Sequence, residues 1–458
     1  MLFSSLEFIF LFLPVSLIAY YLSPKRFKNI ALFLLSVLFY AFGEIRLLPI
    51  FLLTIGVSFV FGIIIGRCKR KVFRRIALIL AIAFNLSFLI YFKYFDFLRR
   101  ALFGKDPLGI LLPIGISFYT FQAISYVADV YRGRVKYTKS FVKFGTYIAL
   151  FPQLIAGPIV TYGDVERQLN DREYSISRIA SGIRIFICGL SKKVVLANSA
   201  GAAFEGFVDS SSVLTALLCV FFFGMQIYFD FSGYSDMAIG LGRMFGFELP
   251  ENFNYPYISR SVSEFWRRWH ITLSSFFREY VYIPLGGSRC SKLRLIFNLC
   301  VVWLLTGIWH GAAWNFLFWG GYFAVLLIAE KLFLGRLLEK SPKLLSRVYT
   351  LFFIFLGWLI FASDGVTLGA EEGISLLLRL FAVGAKSFVT QSEFYLLLGL
   401  LPFIAILCVG STQIPARIYS FFYKRSFLAS TVLPILGLVI SVAYITGAGY
   451  NPFLYFRF

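Results

Sequence analysis

Apolar runs separated by short basic segments recur along the whole chain. Several approach the ~20 residues that an α-helix needs to cross a bilayer, and none alternates apolar with polar residues as a membrane β-barrel strand does. The pattern predicts an all-α polytopic membrane protein with about eleven transmembrane helices, joined by interfacial or re-entrant helices. The predicted spans are residues 6–22, 30–42, 47–66, 76–95, 108–128, 213–231, 293–309, 311–334, 348–362, 394–410 and 428–446.

The composition agrees with this class of protein. Hydrophobic residues make up 59% of the chain, charged residues make up 15%, and the mean hydropathy is +0.79. The net charge of +21 comes from Lys and Arg clustered between apolar runs, as in cytoplasmic loops, so we expect membrane lipid and no nucleic acid as a partner. The cysteines are scattered and the two histidines lie in separate segments, so we expect no disulfide framework and no metal site.

The basic segments also predict the topology. Residues 25–28 and 67–75 flank one pair of apolar runs and therefore belong on the same, cytoplasmic side, which places both termini outside the cytoplasm. The first run lacks a basic segment before it and a cleavage site after it, so we interpret it as a retained helix. We expect one membrane domain over residues 1–458, with an extracytoplasmic tail rich in Phe and Tyr at 449–458.

Residues 141–260 have a less regular pattern. Pro152, Gly157 and Pro158 argue against an unbroken span in this region. The basic, amphipathic stretch 178–198 is typical of a helix that lies in the cytoplasmic interface. Only the run at 213–231 predicts a strong span here.

Both histidines of the protein, His270 and His310, lie between residues 261 and 319. His310 follows a long apolar run, and an ionisable residue at membrane depth is a functional-site hypothesis by default. Gly307 and Gly311 leave room around it for close helix packing or a cavity. A neutral imidazole there can accept a hydroxyl proton, as general-base catalysis requires. The alternative is a histidine that is hydrogen-bonded between helices.

The segment around His270 predicts a single helix. Ser261 and Glu264 form a capping-box signature, and Pro284 marks the end of the segment. His270 would share one face of this helix with Trp266. We expect the helix to lie at the cytoplasmic surface, where it would be either a site or an ordinary interfacial anchor.

Charged residues nearby supply further candidates. Arg267, Arg268 and Arg278 are candidate donor-binding residues, because guanidinium groups bind phosphates. Asp230 and Asp236 lie just past an apolar span and either shape a site or form a polar turn. The chain has no GxSxG motif, P-loop or GxGxxG motif. Direct transfer of an acyl group in one step requires none of these motifs. Positioning a base, a thioester and a hydroxyl supplies much of its rate.

Six stretches, in order along the chain, resemble the membrane-bound O-acyltransferase family, in its bacterial branch of alginate and peptidoglycan O-acetylation proteins. They are LPIGISFYTFQAISYVADVYRG (112–133), LFPQLIAGPI (150–159), YFDFSGYSDMAIG (228–240), ENFNYPY (251–257), FWRRWHITLSSFFREYVYIPLGG (265–287) and LLTGIWHGAAWNF (304–316). His310 matches the family's near-invariant histidine, and His270 matches a position that is His or Asn in the family. Trp309 and Trp314 beside His310 are candidate site-shaping residues.

The resemblance implies acyl transfer across a bacterial inner or plasma membrane. A central funnel or tunnel would admit a thioester donor, acetyl-CoA, from the cytoplasm and an acceptor from the other side, with no bound cofactor. A periplasmic or membrane-anchored SGNH-type O-acetyltransferase is the expected partner. The final residues, NPFLYFRF, resemble the short tails of related export systems. Tyr455 is therefore a candidate acyl relay, and the alternative is aromatic anchoring at the outer interface.

The leading hypothesis is an O-acetyltransferase for an extracytoplasmic polysaccharide such as alginate, cellulose, an exopolysaccharide or peptidoglycan. His310 would act as the general base, and His270 would position the donor or line its path. The first alternative is D-alanyl transfer to teichoic acid from a carrier protein. The second is a transporter that moves an acyl donor or a glycan without chemistry.

Overall fold

The computed structural model describes residues 1–155, 157–423, 425–447 and 454. Over these residues the chain forms helices and connecting segments, without a β-strand. Nine helices of the described part are long and apolar enough to cross a membrane, which confirms the predicted class. They are Lys25–Glu44, Leu48–Arg67, Lys71–Phe103, Val213–Met244, Lys292–His310, Trp314–Lys340, Lys343–Ala362, Gln391–Gly410 and Leu428–Gly447. The number of spans, about eleven from the sequence, stays a prediction.

The chain divides into two compact units. The first consists of Met1–Ile187 and Tyr234–Glu251. Its α-helices are α1 (Leu13–Leu22), α2 (Lys28–Glu44), α3 (Leu48–Arg67), α4 (Lys71–Leu89), α5 (Phe95–Phe103), α6 (Ile116–Arg132), α7 (Phe141–Ala149), α8 (Phe151–Leu154), α9 (Tyr162–Asn170) and most of α10 (Ile176–Ser191).

Helix α6 begins later than the predicted span 108–128. Gly115, immediately before it, has φ +70°, and a Cβ at this position would overlap the carbonyl oxygen of Leu154. Glycine is needed here for both reasons. The helix is then buried from Ile116 to Val130, so it is an internal helix of its unit.

The predicted interruption after residue 141 is confirmed. Helix α7 ends at Ala149, Leu150 has the non-helical φ and ψ of −47° and 105°, and α8 extends only from Phe151 to Leu154. Pro152 lies in the first turn of α8, where its missing N–H costs no hydrogen bond.

The second unit consists of Cys188–Gly233 and Asn252–Phe458, and it contains both histidines. Its α-helices are α11 (Asn198–Phe207), the first part of α12 (Val213–Met244), α13 (Val262–Arg268), α14 (Ile271–Phe277), α15 (Lys292–His310), α16 (Trp314–Ala329), α17 (Gly335–Lys340), α18 (Lys343–Ala362), α19 (Ala370–Leu380), α20 (Gln391–Gly410), α21 (Ile414–Tyr423) and α22 (Leu433–Gly447).

The stretch 178–198 is helical as predicted, and its interfacial position stays a prediction. A π-helical turn, Lys192–Ala197, continues α10 there, and it buries Lys193 together with Val194 and Ala197. A lysine in a basic amphipathic sequence is expected at a surface, whereas Lys193 is only 1% exposed. A buried ammonium group requires a charged or polar partner to offset its desolvation, and Lys193 has one.

Candidate functional site

A short antiparallel contact interrupts the predicted helix around His270. The N–H of Asn254 donates to the carbonyl of Arg268 at 2.9 Å, and the N–H of Ile271 donates to the carbonyl of Asn252 at 3.0 Å. Residues 252–254 thus pair with residues 268–271. Backbone groups that pair in this way are not available to a continuous helix.

The single helix predicted from Ser261 towards Pro284 is therefore wrong. Helix α13 ends at Arg268, α14 begins at Ile271, and His270 between them has φ +45° and ψ 53°. A left-handed backbone at a non-glycine residue is uncommon and persists only where the surrounding structure holds it. The shared helical face of His270 and Trp266 does not exist, and both side chains are buried rather than at a surface.

The predicted start of this segment is confirmed at Ser261. Its Oγ accepts the N–H of Glu264 at 3.0 Å, as an N-cap residue does. The Glu264 carboxylate accepts the N–H of Arg260 at 2.9 Å, one residue before the position of a capping box. The capping-box signature thus predicts the correct helix start, although the Glu264 carboxylate accepts the N–H of Arg260 and not that of Ser261.

Asn252 fixes the orientation of the His270 ring. His270 Nδ1 lies 3.1 Å from Asn252 Oδ1, which also accepts the hydroxyl of Thr272 at 2.9 Å. A carbonyl oxygen only accepts, so the ring proton is on Nδ1 and Nε2 carries the lone pair. His270 lies outside the candidate spans, and burial lowers the pKa of its imidazole to about 3. The ring is therefore a neutral, weakly basic group held in one tautomer.

His310 is the last residue of α15 and is 4% exposed. Its ring makes edge-to-face contacts with Trp309, Trp319 and Phe361, at centroid distances of 5.0, 5.0 and 5.3 Å. The Trp309 ring also lies 5.7 Å from that of His270. Trp309 thus contacts both histidines, so the structure brings together the two that the sequence separates by 40 positions.

Small residues allow α15 and α16 to approach closely beside His310. A Cβ at Gly307 would overlap the carbonyl of Phe316, and a Cβ at Gly320 would overlap the carbonyl of Trp303. The expectation of close packing at Gly307 is thereby confirmed. Gly311 is equally restricted, since a Cβ there would overlap the Phe316 ring.

Tryptophans surround the histidines. Six of the seven in the chain are buried in one connected cluster: Trp266, Trp269, Trp303, Trp309, Trp319 and Trp358. The indole N–H groups of Trp266 and Trp319 are buried and find no acceptor among the described residues. Buried donors normally have an acceptor, so these two groups are suited to a ligand carbonyl.

The three candidate arginines have different environments. Arg268 pairs with Glu264 at 2.9 Å and donates to the Asn254 carbonyl at 3.1 Å, so it stabilises the turn before His270. Arg267 and Arg278 are exposed. These two are the better placed for an anionic group from solution.

The other sequence-based candidates are dispersed. Asp230 is buried and forms an ion pair with Lys193 at 2.9 Å. Asp236, on the same helix, belongs to the first unit and is half-buried. Trp314, a site-shaping candidate, is 55% exposed and begins the helix that follows α15. Tyr455 lies outside the described residues.

Asn252 and Lys193 are functional candidates that sequence reasoning missed. Asn252 lies in the amide-rich stretch ENFNYPY, one of the six stretches that carry the family resemblance. Its place beside His270 depends on pairing across 18 positions. Lys193 has no local signal that distinguishes it from Lys192.

The chain is similar in sequence to one protein family and to several of its members. Residues 133–369, which include both histidines, match the family model described as MBOAT, membrane-bound O-acyltransferase family. The chain is 36% identical to the probable alginate O-acetylase AlgI of Azotobacter vinelandii over the whole of both proteins. It is 42% identical to the probable alginate O-acetylase AlgI of Pseudomonas aeruginosa, over 80% of this chain and 73% of that protein. It is 37% identical to the peptidoglycan O-acetyltransferase of Helicobacter pylori, over 80% of this chain and 78% of that protein.

The match extends over the whole chain and includes the segments on both sides of the tryptophan cluster. It favours an enzyme over the transporter considered from the sequence. With nine helices of the described part able to span a bilayer, the protein is a multi-pass membrane protein. The chain belongs to the membrane-bound O-acyltransferase family, and it is an acyltransferase.

Proposed function

We propose that the protein transfers an acetyl group from cytoplasmic acetyl-CoA to an extracytoplasmic hydroxyl, in the O-acetylation of a polysaccharide. The observation that carries this proposal is the pair of histidines joined by Trp309 inside one tryptophan cluster. The relatives named above are O-acetylating proteins of alginate and peptidoglycan, which supports a polymer acceptor. The membrane would be the inner or plasma membrane of a bacterium, with both termini outside.

His310 is the general base in this proposal. Its imidazole accepts the proton of the acceptor hydroxyl as the oxygen attacks the thioester carbonyl. When the tetrahedral intermediate collapses, the C–S bond breaks and the CoA thiolate takes that proton from the imidazolium. His270 is less suited to this role, because burial lowers its pKa to about 3 and Asn252 holds it in one tautomer.

The negative charge that develops on the thioester carbonyl oxygen requires a hydrogen-bond donor to stabilise it. The indole N–H of Trp319 is suited to it, because the Trp319 ring contacts His310 and its N–H has no acceptor in the described part of the chain. His270 and Trp309 would position the acyl group beside the Trp319 indole. Arg267 and Arg278 would attract the phosphates of CoA.

The acceptor is proposed to be Tyr455, whose hydroxyl would carry the acetyl group before an SGNH-type partner moves it to the polysaccharide. Both histidine rings are buried, so donor and acceptor must reach His310 by displacing aromatic side chains. The proposal therefore requires an opening of the tryptophan cluster during each cycle.

The test uses purified protein in lipid vesicles with labelled acetyl-CoA. His310→Ala should lower acetyl transfer by about a hundredfold or more, as expected for removal of a general base. Leu304→Ala, at an exposed position of the same helix, is the control and should retain transfer. Full transfer by His310→Ala would exclude the mechanism, provided that the variant has the same unfolding temperature as the unaltered protein.

The donor is tested in the same vesicles. When a carrier protein loaded with D-alanine replaces acetyl-CoA as the donor, no D-alanine should be transferred. Transfer of D-alanine without transfer of acetyl would replace the proposal by the D-alanyl alternative.

A further inference from the structure

A buried ion pair lies in the second unit, and the mechanism above does not use it. Lys193 Nζ lies 2.9 Å from Asp230 Oδ1, and the two side chains are 1% and 3% exposed. Lys193 also donates to Asn198 Oδ1 at 2.8 Å. Asp230 belongs to the span Val213–Met244, where two charges are expensive to bury. A pair retained at such a cost is a candidate for a binding role.

The second carboxylate oxygen of Asp230 holds a distant part of the chain. Asp230 Oδ2 accepts the backbone N–H of Leu454 at 2.9 Å, across 224 positions of sequence. Leu454 is 4% exposed, so its side chain is buried as well. A bond to a carboxylate is stronger than one between neutral groups, and Lys193 stabilises the charge that makes it so.

Asp230 is also adjacent in the sequence to a residue that contacts His270. Phe231, the following residue, has its ring 4.7 Å from that of His270, at an interplanar angle of 89°. The Leu454 N–H is therefore bonded to a residue that immediately precedes a His270 contact. Tyr455 follows Leu454 in the sequence.

We propose that the Lys193–Asp230 ion pair is the docking site for the tail, residues 449–458, and that docking there supplies the Tyr455 hydroxyl to the two histidines. The ligand of the ion pair is a backbone amide, so the pair sets the register of the tail. The second half of this inference rests on the proposed function, whereas the docking does not. Lys193 and Asp230 are positioning residues, since they act through the tail.

Two double variants test the docking. Removing one charge alone leaves the other buried without its counter-ion, which destabilises the fold, so both charges are replaced together. Lys193→Met with Asp230→Asn removes the charges and keeps a carbonyl oxygen for the Leu454 N–H. Lys193→Met with Asp230→Leu removes the charges and the acceptor. The pair of variants differs only in the acceptor for the tail.

Hydrogen exchange of the peptide that contains Leu454 is the first readout. It should be faster by about tenfold or more in the Asp230→Leu double variant, as loss of one hydrogen bond to a charged group implies. The Asp230→Asn double variant should stay closer to the unaltered protein. Equal exchange in all three proteins would overturn the docking, even if the enzyme is an acetyltransferase.

Acetylation of Tyr455, measured by mass spectrometry after incubation with acetyl-CoA, is the second readout. It should fall by about tenfold in the Asp230→Leu double variant and recover in the Asp230→Asn double variant. Faster exchange with unchanged acetylation would overturn the supply of the hydroxyl and retain the docking. Absence of acetylation in the unaltered protein would count against Tyr455 as the relay, while the exchange result would still decide the docking.

Discussion

Glu330 caps the helix that leads to His270: its Oε1 accepts the N–H of Val262 at 2.7 Å. Its Oε2 accepts the next N–H, that of Ser263, at 2.8 Å. Glu330 follows α16 and is buried, so a carboxylate within the candidate span Trp314–Lys340 binds the positive end of α13. The two bonds connect the helix after His310 to the one before His270.

Loss of this cap should destabilise the protein and lower transfer. Glu330→Ala leaves the buried N–H of Val262 and the partly buried N–H of Ser263 without this acceptor, and the buried one alone should cost about 1–3 kcal/mol. Glu330→Gln keeps one acceptor and should lie between Glu330→Ala and the unaltered protein. The unfolding temperature in detergent and the transfer rate are measured. Glu339→Gln, at an exposed position of the same span, is the control. Equal stability of Glu330→Ala and this control would contradict the prediction.

His270 should make the protein sensitive to acid. The unfolded chain protonates this histidine near its ordinary pKa of 6.5, whereas the folded protein does not until about pH 3. Between these values the unfolded state binds more protons, so stability falls as the pH is lowered from about 6.5.

His270→Asn removes this titration and should reduce the difference in unfolding free energy between about pH 7.5 and pH 5. Chemical unfolding in detergent at the two pH values measures it. A pH dependence that is the same in both proteins would mean that other groups titrate over this range.

Close packing of α15 against α16 should limit substitution at Gly320. Gly320→Ala places a Cβ against the Trp303 carbonyl, and a backbone atom cannot move aside easily, so we expect a loss of about 1–3 kcal/mol. Gly321→Ala is the matched control, because a Cβ there would have no neighbour within 4 Å in the described structure. The control should be neutral or slightly stabilising in the same helix. Similar unfolding temperatures for the two variants would disagree with the close approach.

Trp319 should influence turnover more than substrate binding. Trp319→Phe keeps an aromatic ring beside His310 and removes the indole N–H. If that group stabilises the oxyanion, kcat should fall by about a hundredfold, with a smaller change in KM. Trp314→Phe, at an exposed ring, controls for the loss of an indole in general. A changed KM with an unaltered kcat would assign Trp319 to binding alone.

The class of the protein and the location of its candidate catalytic stretch can be predicted from local sequence patterns. Apolar runs determine spans because each span satisfies its own backbone hydrogen bonds and needs only local hydropathy. The N-cap at Ser261 and the interruption after Ala149 are also local, since they depend on residues within one or two turns. The isolation of His310 in an apolar run was equally visible.

The partners of the buried charged and polar residues, in contrast, become visible once the chain is folded. The carbonyl of Asn252 accepts the N–H of Ile271 between α13 and α14, and buried Lys193 has Asp230 as its ion-pair partner. Glu330 reaches an N-terminus 68 positions away. Each of these groups would belong at a surface by local hydropathy. Its burial depends on a partner that the fold brings close from a distant part of the chain.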